Sequence, residues 1–250
     1  MGCALWAEGG PVASFVMVAG QRHAEILLPA VDDLVRRVGW SVADLGGVVV
    51  DIGPGLFTGL RVGLATARTI AGARGIPAAG VSSLEVLVHA HRRRRGVLAP
   101  VVDARRGEVY WALYSSDGTS VEELLAPAVA PPERVAEALK TQAEAVFAVG
   151  DGAWRYRECL EMAGAEVGGE AEMWPSPLAL AELGSLRLAG GSAPMRLPEP
   201  LYLRPADVRI GWEQVSGRVV GPSGDGPGAP TGAGAGPVTA SAAPPPKLAL

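Results

Sequence analysis

The sequence predicts an α/β protein built as two successive lobes, each a mixed sheet flanked by helices. Three observations carry that prediction. Short apolar, β-branched runs bounded by glycine and proline alternate with stretches whose apolar residues recur every three or four positions. The same order of elements, hairpin strands, helix, strand, helix, occurs twice along the chain. Hydrophobic residues make up 48% of the 250 positions, ample for buried cores, yet no window approaches the ~18 uninterrupted apolar residues of a membrane span.

The first lobe is expected over residues 1–95. Cys3–Ala7 and Pro11–Val18 read as two strands around the Glu8-Gly9-Gly10 turn. A helix then runs to about Val38, with Leu27, Leu28, Val31, Leu34, Val35 and Val38 on one stripe and Pro29 placed in its first turn. Ser41-Val-Ala-Asp44 has capping-box spacing and leads into Gly47–Ile52, an apolar run suited to a fully buried strand. After the Gly53-Pro54-Gly55 turn, a second helix is expected from Thr58 as N-cap to about Arg74. A strand follows at Ala78–Val81. Ser82-Ser83-Leu84-Glu85 repeats the capping-box spacing and opens a helix ending in His91 and Arg92–Arg95.

The second lobe is expected over residues 96–215. A strand at Val97–Val102, a turn at Asp103–Gly107 and an aromatic strand at Glu108–Tyr114 make a hairpin, with a third strand near Val121–Leu125. A helix from Pro132 to Lys140, a strand at Ala145–Val149, the Gly150-Asp151-Gly152 turn and a helix to about Met162 come next. A last helix spans Ser176 to Leu188, and Tyr202-Leu-Arg-Pro205 closes the folded part. From 216 to 250 the chain is Gly, Pro, Ala, Ser and Thr with almost no large apolar side chain, which predicts a disordered tail. One element is missing from the duplicated plan. The opening hairpin supplies only the second and third strands of its lobe, so Gly47–Ile52 lacks a ladder partner; a start about a dozen residues upstream would supply it.

Composition narrows the chemistry. Nothing at the N-terminus reads as a secretory leader, and Cys3 and Cys159 lie far apart without metal-ligand spacing. A net charge of −4 argues against a protein that grips nucleic acid alone. Lys140 and Lys247 are the only lysines, which removes Schiff-base and P-loop mechanisms. His23, His89 and His91 are the only histidines. The last two, at i and i+2 on a helix, point apart and cannot share a metal. Gly80-Val-Ser-Ser-Leu lacks the second glycine of a nucleophile elbow, and Ser82 fits a helix cap better. The Gly53–Gly59 turn either cradles phosphate at a helix N-terminus or simply allows a tight strand-to-helix turn. Asp51 and Asp103, each ending a predicted strand, could face a cleft and hold phosphate or Mg²⁺, or could stabilise turns. Arg92–Arg95 could meet phosphate or lie solvated at a helix end. Tyr110, Trp111 and Tyr114 suit core packing better than base stacking.

Gly53-Pro-Gly-Leu-Phe-Thr-Gly-Leu-Arg-Val-Gly-Leu-Ala-Thr-Ala67 closely resembles the signature of the TsaB (YeaZ) family of bacterial tRNA threonylcarbamoyladenosine biosynthesis. Arg22–Pro29, Gly75-Ile-Pro77, Gly80–Glu85, Val101–Tyr110 and Tyr202–Pro205 are each similar to a family block in family order, so the resemblance covers roughly residues 4–209. It implies a two-lobed actin-like ATPase, ribonuclease H-like fold in a cytoplasmic protein. The family role is a non-catalytic platform for the paralogue TsaD, which holds the metal and transfers the threonylcarbamoyl group to adenosine 37 of tRNAs reading codons that begin with A. A third protein, the ATPase TsaE, joins the pair. ATP and Mg²⁺ then belong to the wider complex, and tRNA is reached only through it. The family's opening strand with Asp-Thr-Ser has no counterpart in this sequence.

The resemblance also directs attention to two helices. Gly59, Gly63, Ala67 and Ala71 recur at every fourth position beside Leu60 and Leu64, leaving a shallow face that is either core or a seat for a partner helix. Family practice favours packing against TsaD or a second TsaB in a homodimer. The expected partner interface is Leu27, Val31, Leu34, Leu60, Gly63, Leu64, Ala67 and Ala71, with no catalytic or metal residues and Asp103, Gly53 and Gly55 as the nucleotide-contact candidates. The alternative is an enzyme, either an actin-like fold phosphotransferase or a glycoprotease-type metallopeptidase homologue. ATP turnover that vanishes on Asp103→Asn distinguishes the phosphotransferase.

Overall fold

The computed structural model describes residues 1–17, 22–190, 198–201, 203 and 248–249. The hairpin β1 (Gly2–Ala7) and β2 (Gly10–Val16) opens the chain. It is followed by α1 (His23–Arg37), β3 (Gly47–Asp51), α2 (Phe57–Arg74), β4 (Ala78–Val81) and α3 (Ser83–His91). The second series is β5 (Gly96–Arg105), β6 (Glu108–Ser116), β7 (Val121–Ala130), α4 (Pro132–Lys140), β8 (Val146–Val149), α5 (Asp151–Arg155), α6 (Arg157–Glu161) and β9 (Glu166–Val167). Then come α7 (Pro177–Ala189) and a short β10 (Leu248–Ala249).

Local chemistry accounts for several boundaries. Ser82 starts α3 by accepting the Leu84 amide at 3.2 Å, while Glu85 accepts the Ser82 amide at 2.9 Å, a complete capping box. At α7, Ser176 accepts from Ala179 and Pro177 fills the first helical position. Other expectations shift. Helix α2 begins one residue before Thr58, with Leu56 at its cap. Pro29 sits inside α1 rather than in its first turn; it is exposed, so water can serve the carbonyl whose partner it removes. Strand β7 extends to Ala130, and the helix expected to reach Met162 breaks at Tyr156 into α5 and α6.

The two sheets share one plan. The first has the order β2-β1-β10-β3-β4 and the second β7-β6-β5-β8-β9. In each, the central strand runs antiparallel to the hairpin on one side and parallel to the next strand on the other. The central position of the first sheet, which the sequence leaves without a candidate, is therefore taken by Leu248–Ala249. That corrects the expectation of disorder for these last residues. The rest of the proposed tail, 216–247, lies outside the described residues, as does Tyr202.

Helices α1 and α2 cover one face of the first sheet around Cys3, Leu5, Val48 and Val50. On the second sheet, α4 and α6 cover one face around Val101, Val109 and Trp111. Between the sheets the lobes exchange helices. Leu84, Leu87 and Val88 of α3 pack on Leu98, Val102 and Tyr114 of the second sheet. Ala179 and Leu180 of α7 join Val49 and Val81 of the first sheet. The division at residues 95 and 96 follows the order of the sheets but not the packing, because α7 returns across it. Both lobes fall within one compact unit, Met1–Arg204 with Pro245–Leu250.

Candidate functional site

Asp51 ends β3 where the strand turns into α2. Its Oδ1 accepts from the Gly53 amide at 2.8 Å, and the Ser83 hydroxyl donates to Oδ1 at 2.7 Å and is 2.9 Å from Oδ2. Ser83 in turn donates its own amide to the Gly53 carbonyl at 2.8 Å, so the turn is tied to the start of α3 from both sides. Gly53 adopts φ +94°, where glycine is favoured, and the Leu60 side chain lies directly over it. The Gly53 amide is committed to Asp51 and does not point out toward a phosphate. A carboxylate at the mouth of the turn would also repel one. Burial pushes the Asp51 carboxyl up to about 6, against the opposing hydrogen bonds from Ser83 and Gly53.

Asp103 belongs to the other sheet, near the end of β5. Its side chain is only 5% exposed and lies 3.1 Å from Nη1 of Arg105, with Nη1 of Arg155 at 3.9 Å. Arg105 also donates its amide to Oδ1 at 2.9 Å, from a hairpin turn in which Arg105 and Arg106 both adopt positive φ. The Asp103 amide donates to Oδ1 of Asp151 at 3.0 Å. Burial raises the Asp151 carboxyl above its usual range, and the Asp103 charge adds to the rise. Asp51 and Asp103 thus have separate partners on separate sheets, and Asp103 is already neutralised by arginine.

Asp151 and Ser83 are the residues the sequence reading did not single out. The duplicated plan held the signal for Asp151, because it follows β8 as Asp51 ends β3, the corresponding strand of the other sheet. His89 lies 3.2 Å from Glu182 of α7; burial, aided by Arg92, lowers its pKa below the usual histidine value. Arg92 bonds Glu182 at 2.7 Å, while Arg94 pairs with Glu166 and stacks over Phe147. Two of the four arginines of that run therefore hold the protein's own elements together. Trp111 and Tyr114 are buried in the cores.

The structure divides the eight residues expected at a partner interface. Leu27, Val31, Leu34, Leu64, Ala67 and Ala71 are buried in the core that α1 and α2 share with the first sheet. Their shallow periodic face meets the protein's own strands, so these side chains are not available to a partner. Leu60 and Gly63 are half-buried, and a Cβ on Gly63 would stand 3.6 Å from Val50. The outward face is a different set. On α2 it comprises Thr58, Arg61, Ala65, Thr69 and Gly72; on α1, Leu28 is 51% exposed near Glu25 and Asp32.

A family model described as TsaD, tRNA N6-adenosine threonylcarbamoyltransferase, matches residues 17–162, more than half of the chain. Over 220 residues the chain is 32% identical to the tRNA threonylcarbamoyladenosine biosynthesis protein TsaB of Bacillus subtilis, covering 85% of this chain and 93% of that protein. The chain belongs to the TsaB family. Escherichia coli TsaB is similar at 30% identity over 222 residues, covering 86% of this chain and 93% of its own. The solved structure of YeaZ from Pseudomonas aeruginosa matches with a TM-score of 0.71 at 30% identity, covering 81% of this chain and 93% of that one. The fold of this TsaB-family chain is accordingly the actin-like, ribonuclease H-like α/β fold. No described helix is long and apolar enough to cross a membrane.

Asp51 makes the stability of this TsaB-family protein depend on pH in a defined direction. Its folded pKa of about 6 lies above the ordinary 3.8, so the native state favours the protonated form. The Asp51 contribution is fully present below about pH 4 and is lost as pH rises through 6. Asp51→Asn keeps an acceptor for Gly53 and removes that penalty. Relative to wild type, the variant is expected to gain stability between pH 4 and pH 7, by about 3 kcal/mol at most. Urea denaturation at the two pH values checks this; an equal difference at both would refute the buried-carboxylate account.

Proposed function

We propose that this TsaB-family chain acts in tRNA threonylcarbamoyladenosine synthesis as a non-catalytic partner that binds TsaD. The observation that carries the reading is near full-length similarity to proteins named for that pathway. The engagement of Asp51 by Ser83 and Gly53, and of Asp103 by Arg105, supports a structural role for the strand-end carboxylates. The partner surface is the outward side of α1 and α2, centred on Ala65, Thr69 and Gly72 with Leu28 alongside, in place of the buried residues of the apolar stripe. A second copy of the chain competes for this face as a homodimer, and TsaE joins the heterodimer. The setting is the cytoplasm. ATP and Mg²⁺ act in the wider complex, and tRNA is reached through it, consistent with the net charge of −4.

Co-expression with TsaD from the same genome, followed by size-exclusion chromatography with light scattering, tests the reading. Ala65 is exposed, so Ala65→Arg is expected to leave thermal stability within a few degrees of wild type while weakening the pair at least tenfold. A folded wild-type chain that forms no pair with TsaD would overturn the partnership. A pair that ignores Ala65→Arg and Gly72→Arg alike would move it to another face.

A further inference from the structure

Four arginines gather where β5 of the second sheet ends. Arg105 and Arg106 lie in the β5–β6 turn, while Arg155 ends α5 and Arg157 begins α6. Nη1 of Arg105 and Nη1 of Arg155 approach the same oxygen, Oδ2 of Asp103, at 3.1 and 3.9 Å. The Asp103 amide, bonded to Asp151 at 3.0 Å, ties the strand to the start of α5. The two segments therefore present one surface. All four arginines are exposed. The carboxylates within residues 103–108 and 151–157 are Asp103, Glu108 and Asp151, and each is at least half-buried; Glu158 is the exposed one that follows in sequence. Positive charge thus faces outward over a buried acidic base, on a chain whose net charge is −4.

Two features set these arginines apart from ordinary solvated charge. The first is the backbone. Arg105 pairs with Glu108 across the hairpin, so Arg106 and Gly107 make a two-residue connection with φ +55° and +79°, and Arg105 itself has φ +63°. Such positions favour glycine, asparagine or aspartate, and a long side chain there is strained. The turn would form more readily without them, so folding does not account for two arginines in a row. The second feature is the rings. The guanidinium carbon of Arg155 lies 5.6 Å from the Tyr156 ring centroid, and that of Arg157 lies 4.7 Å from the centroid of Trp154. Both rings are half-buried and hold the guanidinium groups by cation–π attraction, which limits the freedom lost when an anion binds. Arginine set among aromatic rings suits RNA: its phosphates accept paired N–H donors, and its unstacked bases lie on aromatic and guanidinium faces. An acidic peptide would use the charge alone.

We propose that the surface formed by Arg105, Arg106, Arg155 and Arg157 contacts the phosphate backbone of the tRNA within the complex with TsaD. This rests on the tRNA role given above and adds to it a direct contact made by this chain. Four guanidinium groups on an acidic chain are too few to hold tRNA alone; they become effective when the partner supplies further contacts and raises the local concentration of RNA. The surface belongs to the second sheet and the outward side of α1 and α2 to the first, so the two share no residue and one chain can engage partner and RNA together.

The test measures fluorescence anisotropy of a fluorescein-labelled tRNA transcript, one that reads a codon beginning with A, on the co-purified pair with TsaD over a series of NaCl concentrations. Arg106→Gly combined with Arg157→Gln leaves both Asp103 ion pairs in place and relieves the turn, so the melting temperature is expected to stay at or above that of wild type. The same double variant is expected to weaken tRNA binding at least tenfold and to lower the slope of log Kd against log salt by about 2, roughly 1 per lost phosphate contact. Arg93→Gln with Arg95→Gln removes equal charge before the other end of β5 and is expected to change little. An intact pair whose tRNA affinity and salt slope ignore the first double variant would overturn the proposal. So would equal losses from both double variants, which would reduce the effect to net charge. Poly-glutamate that displaces the transcript as readily as unlabelled tRNA would overturn it in favour of an acidic peptide. Size-exclusion chromatography of the same samples distinguishes these results from failure of the TsaD partnership, in which the wild-type chain forms no pair and the RNA contact falls with it.

Discussion

Gly184→Val is expected to unfold the first lobe under conditions where the parent chain is fully native. Helix α7 crosses the first sheet so closely that a Cβ on Gly184 would stand 2.3 Å from both Cγ atoms of Val49 and 2.7 Å from its Cβ. Val49 is buried at the centre of β3, and its Cβ, which no χ1 rotation moves, is itself among the atoms in the way. Even alanine has to move the helix. Overpacking of this kind costs about 1–3 kcal/mol, against which the better helix propensity of alanine returns about 1. Valine adds two further methyls without that return, and a loss of several kcal/mol follows. Gly72, on the outward side of α2, has nothing within 4 Å of its would-be Cβ. Gly72→Ala is therefore expected to raise the melting temperature by roughly 2–4 °C, from the gain of about 1 kcal/mol. The opposite signs of the two Gly→Ala changes, read by thermal denaturation, are the decisive result; a Gly184→Ala protein as stable as Gly72→Ala would show that α7 is not seated on Val49.

Gly150→Ala is expected to have a comparable effect on the second lobe. Gly150 links β8 to α5 with φ +113° and ψ 167°, a region open essentially to glycine alone and worth about 1–3 kcal/mol of strain to any other residue. A Cβ there would also meet the Val101 carbonyl oxygen at 2.3 Å. Val101 lies on β5, whose neighbours on either side hold it in place, so backbone rather than a flexible side chain would have to yield. The combined penalty is about 3 kcal/mol or more. Its local consequence is as informative as its size. The next residue, Asp151, accepts the Asp103 amide, so the variant should expose that amide to exchange at denaturant concentrations that leave the first lobe protected. A denaturation midpoint unchanged by Gly150→Ala would contradict the close approach of the β8–α5 turn to β5.

These two contacts show why the site was only partly legible. Local signals were read well. The Ser82 cap stands where nearest-neighbour chemistry puts it, and the strands expected at Gly47–Ile52 and Ala145–Val149 form at Gly47–Asp51 and Val146–Val149. Apolar periodicity in α1 and α2 located the buried face correctly as a stripe, but periodicity does not say what buries it. Leu27, Val31, Leu64 and Ala67 could have met a partner or their own sheet, and the sheet meets them. Asp51 with Ser83, and Asp103 with Asp151, join residues 32 and 48 positions apart, a separation at which sequence spacing carries no geometric information.

The sequence by itself determined the two-lobed α/β plan, the order of most elements and the family, because these rest on hydrophobic period, turn residues and a long motif that many identities define. Tertiary structure decided what depends on distant segments meeting. It returned α7 to the first sheet, placed Leu248–Ala249 at that sheet's centre, and turned the small-residue stripe of α2 inward. The physical reason is that a helix or strand records which of its faces is apolar, while the identity of the surface that covers it is set only when the whole chain competes to exclude water.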